Sequence, residues 1–197
     1  YNEYGYSPKS LGWDKGKQDI RFDILTSHYN FTNKHVLDIG CGFGDLNKTL
    51  RAKAKRYAYT GIDLVEPLLK EAKIHYPDHY INFIRANILD FETDIKYDFA
   101  ISSGVFNHKL IAGNNYQFIE AVIKKALAIC VDGLAFDFLS DKVDYQLKHT
   151  FHSSPEKILS IAYQYSRNVI IRNDYMPFEF SVFIFKYQNF QISKFIN

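Results

Sequence analysis

Three glycines at spacing two, Gly40, Gly42 and Gly44, stand directly between an apolar run, His35 to Ile39, and a segment of helical spacing, Asp45 to Ala54. Side chains do not fit at such a junction. Glycine lets the backbone turn sharply and approach a ligand closely, and the N-terminus of the following helix offers free N–H groups. Two acids flank the loop: Asp38 near the strand end, and Asp63, which ends the next apolar run 19 residues beyond Gly44. An acid at the end of the second strand accepts hydrogen bonds from ribose hydroxyls. The pattern therefore reads as a strand–loop–helix–strand unit shaped to hold a nucleoside-bearing ligand.

The rest of the chain extends this unit. Tyr57 to Asp63 reads as a strand, Pro67 to His75 as a helix, and Tyr80 to Arg85, Asp98 to Ser102 and Gly133 to Leu139 as further strands, with a helix over Tyr116 to Ala128. Strands alternating with helices imply an α/β fold with a largely parallel sheet. The tail differs. A helix over Pro155 to Tyr163, capped by Ser153 or Ser154, precedes strands at Asn168 to Arg172 and Phe180 to Lys186. No helix fits between these two, so they pair antiparallel. Asp14 to Tyr29 has Ile20, Phe22, Ile24 and Leu25 at near-helical spacing and is expected to pack as an additional helix.

With 197 residues and no repeat or linker, the chain fits one globular domain. Lys+Arg 24 against Asp+Glu 22 is too balanced for binding that rests on phosphate neutralisation, so no nucleic-acid partner is expected. The basic cluster Arg51, Lys53, Lys55 and Arg56 ends a helix, where positive charge favours the dipole. Cys41 and Cys130 are too few for a disulfide framework and fit a reducing cytoplasm. No apolar run approaches the roughly 20 residues of a membrane span, and Tyr1 to Lys9 does not resemble a signal peptide. The chain begins at Tyr1 rather than Met, which leaves room for preceding residues or a domain.

Asp38-Ile39-Gly40-Cys41-Gly42-Phe43-Gly44, followed by Gly61-Ile62-Asp63, resembles the class I S-adenosylmethionine-dependent methyltransferases. Nicotinamide enzymes instead place an apolar residue where Asp38 stands and space their glycines by two and then three. The resemblance covers most of the chain. It implies a Rossmann-like three-layer αβα sandwich with a seven-stranded, mostly parallel sheet in the order 3-2-1-4-5-7-6. One methyltransferase domain over 1–197 follows, with 1–30 an N-terminal lid and 31–197 the core. It also implies S-adenosylmethionine as cofactor and S-adenosylhomocysteine as product. Gly40, Cys41, Gly42 and Gly44 then line the methionine moiety, Asp38 orders the loop, and Asp63, with Leu64 beside it, holds the ribose. Asn87 and Ile88 take the adenine position, where the family carries an acid and Asn87 offers an uncharged amide oxygen instead. Ser102 and Ser103 end the fourth strand beside the sulfonium.

Methyl transfer is an in-line displacement, so the protein must align acceptor and donor and exclude water. A hydroxyl acceptor must also lose its proton, and His108 is the expected base, with His149 and His152 behind it. No metal motif is present. In many family members an N-terminal helix covers the cofactor and a basic residue meets the methionine carboxylate; Arg21 suits that role, with Gln18 one helical step away. Tyr6, Trp13, Phe106, Asn107, Asp174, Tyr175 and Glu179 are the expected substrate contacts, the last three from a hairpin that overhangs the acceptor pocket in this fold. The fourth strand lacks the Asn-Pro-Pro-Tyr or Asp-Pro-Pro-Tyr signature of enzymes that methylate nucleobase or amide nitrogen. A small-molecule acceptor is therefore expected, a sugar or other hydroxylated metabolite, with an RNA or protein methyltransferase and a catalytically silent cofactor-binding protein as the alternatives.

Overall fold

The apolar runs pair as the βα alternation demands. A computed structural model describes residues 17–187. Among them β1 (Lys34–Ile39), β2 (Tyr57–Asp63), β3 (Ile81–Arg85), β4 (Tyr97–Ser102), β5 (Cys130–Leu139), β6 (Asn168–Arg172) and β7 (Glu179–Phe185) form one sheet in the order β3-β2-β1-β4-β5-β7-β6. The first five strands are parallel, and β7 runs antiparallel to both β5 and β6. Five helices accompany them: α1 (Gln18–Leu25), α2 (Leu46–Lys53), α3 (Glu66–His75), α4 (Asn115–Ile129) and α5 (Pro155–Tyr163). This is the Rossmann-like α/β order that the resemblance implied.

Side chains alternate across a strand, so each strand feeds two cores. Leu37, Leu134, Phe136, Phe138, Phe180 and Val182 pack with Ile119 and Val122 of α4 and Ile158 of α5. Val36, Tyr59, Phe99, Ala135 and Phe183 pack with Leu25 of α1, Leu46 and Leu50 of α2, and Leu69 of α3. Both faces of the sheet are covered, which is why its strands read as continuous apolar runs. The chain winds from β1 outward to β3 and then crosses to β4 on the other side of β1. That reversal opens a crevice beyond the carboxyl ends of β1 and β4.

Some boundaries differ from expectation. β5 starts at Cys130 rather than Gly133, because α4 passes into the strand with Cys130 as its cap and no intervening loop. Gly133 lies inside the strand with φ of 155°, where a Cβ would collide with the Ile184 carbonyl of β7. It is a close-approach glycine and not a strand start. α1 is shorter than Asp14 to Tyr29. It stops at Thr26, whose Oγ1 bonds the Phe22 carbonyl at 2.6 Å, and Asp14 lies outside the described residues. Tyr29 leaves the helix and packs its ring against Phe99 at 4.0 Å while its hydroxyl donates to the Leu134 carbonyl. The α5 cap is Ser154, whose Oγ accepts from the Lys157 amide. Among the described residues no helix is long and apolar enough to cross a membrane.

Candidate active site

The glycine loop takes its shape from backbone that only glycine adopts readily. Gly40, Gly42 and Gly44 have φ of 71°, 55° and 74°, all left-handed. Space is the second constraint. A Cβ on Gly40 would collide with the Val105 side chain, and one on Gly44 would lie 2.6 Å from the Phe83 ring. The loop is anchored from β2: the Gly40 and Cys41 amides donate to the Ile62 carbonyl at 2.8 and 3.1 Å.

Asp63 ties the loop to the end of β2. Its Oδ2 accepts from the Gly42 amide and its Oδ1 from the Val65 amide, each at 2.9 Å. A carboxylate offers about four lone-pair sites, so two acceptor directions remain for ribose hydroxyls. The helix N-terminus contributes less than expected, because the Asn47 and Lys48 amides already bond the Gly44 and Asp45 carbonyls.

Asp38 sits beneath the loop, buried, and its Oδ2 accepts from the Tyr59 hydroxyl at 2.6 Å. Burial pushes its carboxyl up to about 7, aided by the charges of Asp63 and Asp45 and opposed by the Tyr59 bond. The sign follows directly. Between an ordinary carboxyl value near 4 and about 7, the folded protein holds a proton that the unfolded chain releases, so stability falls as pH rises through that window. Asp137 contributes in the same direction over a narrower range. Asp38→Asn is therefore expected to lose less stability than the parent between pH 5 and pH 8. Urea midpoints at the two pH values measure this, and an equal drop in both proteins contradicts the assignment.

A cavity of about 490 Å³ opens over these groups at the carboxyl ends of β1, β2 and β4. Of the expected cofactor residues, Asp38, Gly40, Cys41, Gly42, Asp63, Leu64, Asn87, Ile88 and Ser103 line it, and so does His108. Gln18 and Phe22 of α1 close one side, which gives the helix its place over the crevice. A larger cavity, about 680 Å³, lies at the opposite ends of the strands among Lys34, His35, Arg51, Lys55, Arg56 and Tyr57. It has neither a left-handed glycine nor the strand carboxyl ends, and ligands of open α/β sheets bind at those ends. We therefore assign the smaller one.

Several expected residues serve elsewhere. Arg21 does not face the cavity as a carboxylate receptor: it is buried and grips Glu179 through Nε, at 2.6 Å to Oε2, and through Nη2. Glu179 is thus withdrawn from substrate binding by the same pair. Asp174 pairs with Arg172 at the surface, and the Tyr175 hydroxyl meets the Ser181 hydroxyl at 2.8 Å. Phe106 is core, stacked on Phe138, and Asn107 is buried with its Oδ1 accepting from the Leu139 amide. Ser102 is buried and donates to the Ile39 carbonyl at 2.9 Å, clamping β4 to β1. His152 is held by the Ser140 carbonyl and the Thr150 hydroxyl, while His149 is exposed and bonds Lys109 through its backbone. Asn87 is partly committed too. Its Oδ1 accepts from the Leu89 amide at 3.2 Å and its Nδ2 donates to Asp90, so one lone pair is left for an adenine amine. Tyr6 and Trp13 lie outside the described residues.

Asp137 escaped the sequence reading. It is buried on β5 in the run Leu134 to Leu139, and its carboxylate accepts from the Ser103 hydroxyl and the Gly104 amide at 2.6 and 2.7 Å. A lone acid inside an apolar strand was the signal, since burying a carboxylate is costly unless it is bonded. Among the described residues no group of three or more His, Cys, Asp or Glu could hold a metal ion.

This architecture has counterparts. A methyltransferase-domain family model matches residues 36–133, from β1 through the first part of β5. A Mycobacterium tuberculosis protein named as a provisional methyltransferase is 27% identical over 157 residues, covering 77% of this chain and 92% of that protein. The ubiquinone biosynthesis O-methyltransferase of Rickettsia akari is 31% identical over 104 residues, and the match spans only 39% of its length. Among solved structures, an N-methyltransferase of Bradyrhizobium japonicum in complex with S-adenosylhomocysteine has a TM-score of 0.67 at 16% identity, covering 92% of this chain and 93% of that one. A magnesium protoporphyrin IX methyltransferase of Synechocystis with the same molecule bound scores 0.66 over 86% of this chain and 81% of that one. These two show the shared fold; the residues matched by the family model include the strand, glycine loop and acid described above. The chain carries a methyltransferase domain and shares the fold of S-adenosylmethionine-dependent methyltransferases.

Proposed function

We propose that this enzyme transfers a methyl group from S-adenosylmethionine to an oxygen or nitrogen of a small-molecule acceptor, and that the acceptor enters from the Ser103–His108 side of the cavity. One observation carries the reading: Asp63, Gly40, Gly42 and His108, the only histidine among the described residues at this site, line one cavity of about 490 Å³. The residues fit the donor. Left-handed glycines let backbone approach the methionine part, Asp63 has lone pairs for the ribose, and Asn87 has one for adenine.

The sulfonium supplies an activated methyl carbon, and the chain's own residues supply alignment. Ser103 of the turn after β4 lines the cavity, as do Gln18 and Phe22 of α1, which would help to exclude water once the ligands are bound. His108 lines the cavity, and we assign it as the base that takes the proton of a hydroxyl acceptor. The relatives support both acceptor atoms, since their names include O-methyltransferases of ubiquinone biosynthesis and an N-methyltransferase. A release factor glutamine methyltransferase is also among them, 32% identical over 111 residues. Protein methylation is less well supported here: the fourth strand ends in Ser102-Ser103-Gly104-Val105 and not in the signature of amide-nitrogen enzymes.

The test is incubation of the full chain with methyl-labelled S-adenosylmethionine and a panel of hydroxylated and amine metabolites, with release factor and RNA alongside. Label in a small molecule is the expected result, and a large drop in its rate of appearance in His108→Ala, with S-adenosylhomocysteine binding retained, would identify the base. Label in protein or RNA, or binding without transfer to any acceptor, contradicts the reading.

A further inference from the structure

We propose that Asp137 is a positioning residue for cofactor binding: its carboxylate holds the Ser103–Gly104 turn so that Val105 seats against Gly40 and closes the cavity between the two loops. The inference rests on the reading of that cavity as the cofactor site.

Asp137 is 1% exposed on β5. A carboxylate buried this deeply is retained at a cost, so its bonds indicate its use. They do not go to the neighbouring cation. Arg21 already engages Glu179 with two nitrogens, and Asp137 instead accepts from Ser103 Oγ at 2.6 Å and Gly104 N at 2.7 Å. Both donors belong to the turn that follows β4. Gly104 is left-handed there, with φ of 81°, and the chain then enters the short 3-10 turn Val105–Asn107.

The turn in turn shapes the cavity. Ser103, Gly104 and Val105 all line it, and Val105 packs so closely on Gly40 that a Cβ there would collide with its methyl group. The Asp137 bonds thus reach the glycine loop through one intervening side chain. Loss of them frees the turn to move, and Val105 moves with it.

Three ionisable groups face Asp137 from the elements packed on it: Arg21 of α1, Glu179 of β7 and Tyr175 of the loop between β6 and β7. Burial and the Glu179 charge push its carboxyl up to about 6, against the pull of Arg21 and the two turn donors. Protonation below that value weakens its grip on the turn, which gives the role a signature in pH.

The experiment is calorimetric titration of the full chain with S-adenosylhomocysteine from pH 5 to pH 8, for the parent, Asp137→Asn, Asp137→Ala and Ser103→Ala, with melting temperatures measured beside it. Asp137→Ala is expected to bind at least about tenfold more weakly, the scale of two lost hydrogen bonds to a charged group. Asp137→Asn keeps one acceptor oxygen and should recover part of that loss. The parent should lose affinity as pH falls through about 6, and the asparagine variant should lack that component. If Asp137→Ala does not fold, the asparagine and Ser103→Ala proteins carry the test. Variants that bind as the parent does with the same pH profile overturn the proposal, whatever their melting temperatures, and leave the cofactor site intact. A parent that does not bind S-adenosylhomocysteine at any pH overturns both.

Discussion

Replacing Asp63 by alanine is expected to weaken S-adenosylhomocysteine binding by about 1–3 kcal/mol, roughly fivefold to 150-fold, when the free energies of charge-assisted hydrogen bonds to ribose are lost. The loss has two sources. The direct one is the carboxylate's remaining lone pairs, which the sugar hydroxyls would fill. The indirect one is the loop: the Gly42 and Val65 amides both donate to this carboxylate and lose their acceptor with it. Asp63→Asn separates the two, because its single carbonyl oxygen can hold one amide and carries no charge. Its affinity should fall between the parent and the alanine protein. Calorimetry on the three proteins decides the matter, and unchanged affinity in Asp63→Ala moves the nucleoside elsewhere.

Stability should respond most to the Arg21–Glu179 pair. Both side chains are nearly inaccessible, with residue exposures of 3% and 2%, and they join α1 to the start of β7 across 158 residues of sequence. Removing one partner of a buried pair leaves an uncompensated charge, typically a loss of about 3–5 kcal/mol. At about 2–4 °C per kcal/mol for a chain of this length, the melting temperature should drop by on the order of 10 °C. The order of the two single variants is also set by the surroundings. Arg21→Met leaves Glu179 and Asp137 as two carboxylates facing each other, whereas Glu179→Gln leaves Arg21 with Asp137 as its counter-charge. Arg21→Met should be the more damaging. The double variant Arg21→Met/Glu179→Met removes both charges and should regain much of the loss. Thermal melts in which the singles are neutral, or in which the order is reversed, contradict this account of the interface.

The same pair shows where sequence reading runs out. The α/β class, the glycine loop, Asp38 and Asp63 were legible because each depends on neighbours close in the chain: continuous apolar runs, glycines between strand and helix, an acid at a strand end. Arg21, Glu179 and Asp137 meet only because the sheet brings α1, β5 and β7 together. Periodicity says that such a residue is on a helix or a strand, and nothing about which distant charge it faces. Arg21 therefore read as a carboxylate receptor and Glu179 as a substrate contact, when each satisfies the other. Asp137 was hidden for the opposite reason. Its strand read as apolar, and the turn it holds lies 33 to 34 residues earlier. His152 and Asn107 share this history, since neither lies in a strand or an α-helix and their hydrogen bonds to Ser140 and Leu139 are tertiary.

The crevice beyond β1 and β4 should bind an adenosyl ligand and not a nicotinamide dinucleotide. Titration of the unaltered chain with S-adenosylhomocysteine, and separately with a reduced nicotinamide dinucleotide, tests it most directly. Saturable binding of the first at one site, with the second far weaker, is the predicted result; a chain that prefers the dinucleotide, or binds neither, contradicts it.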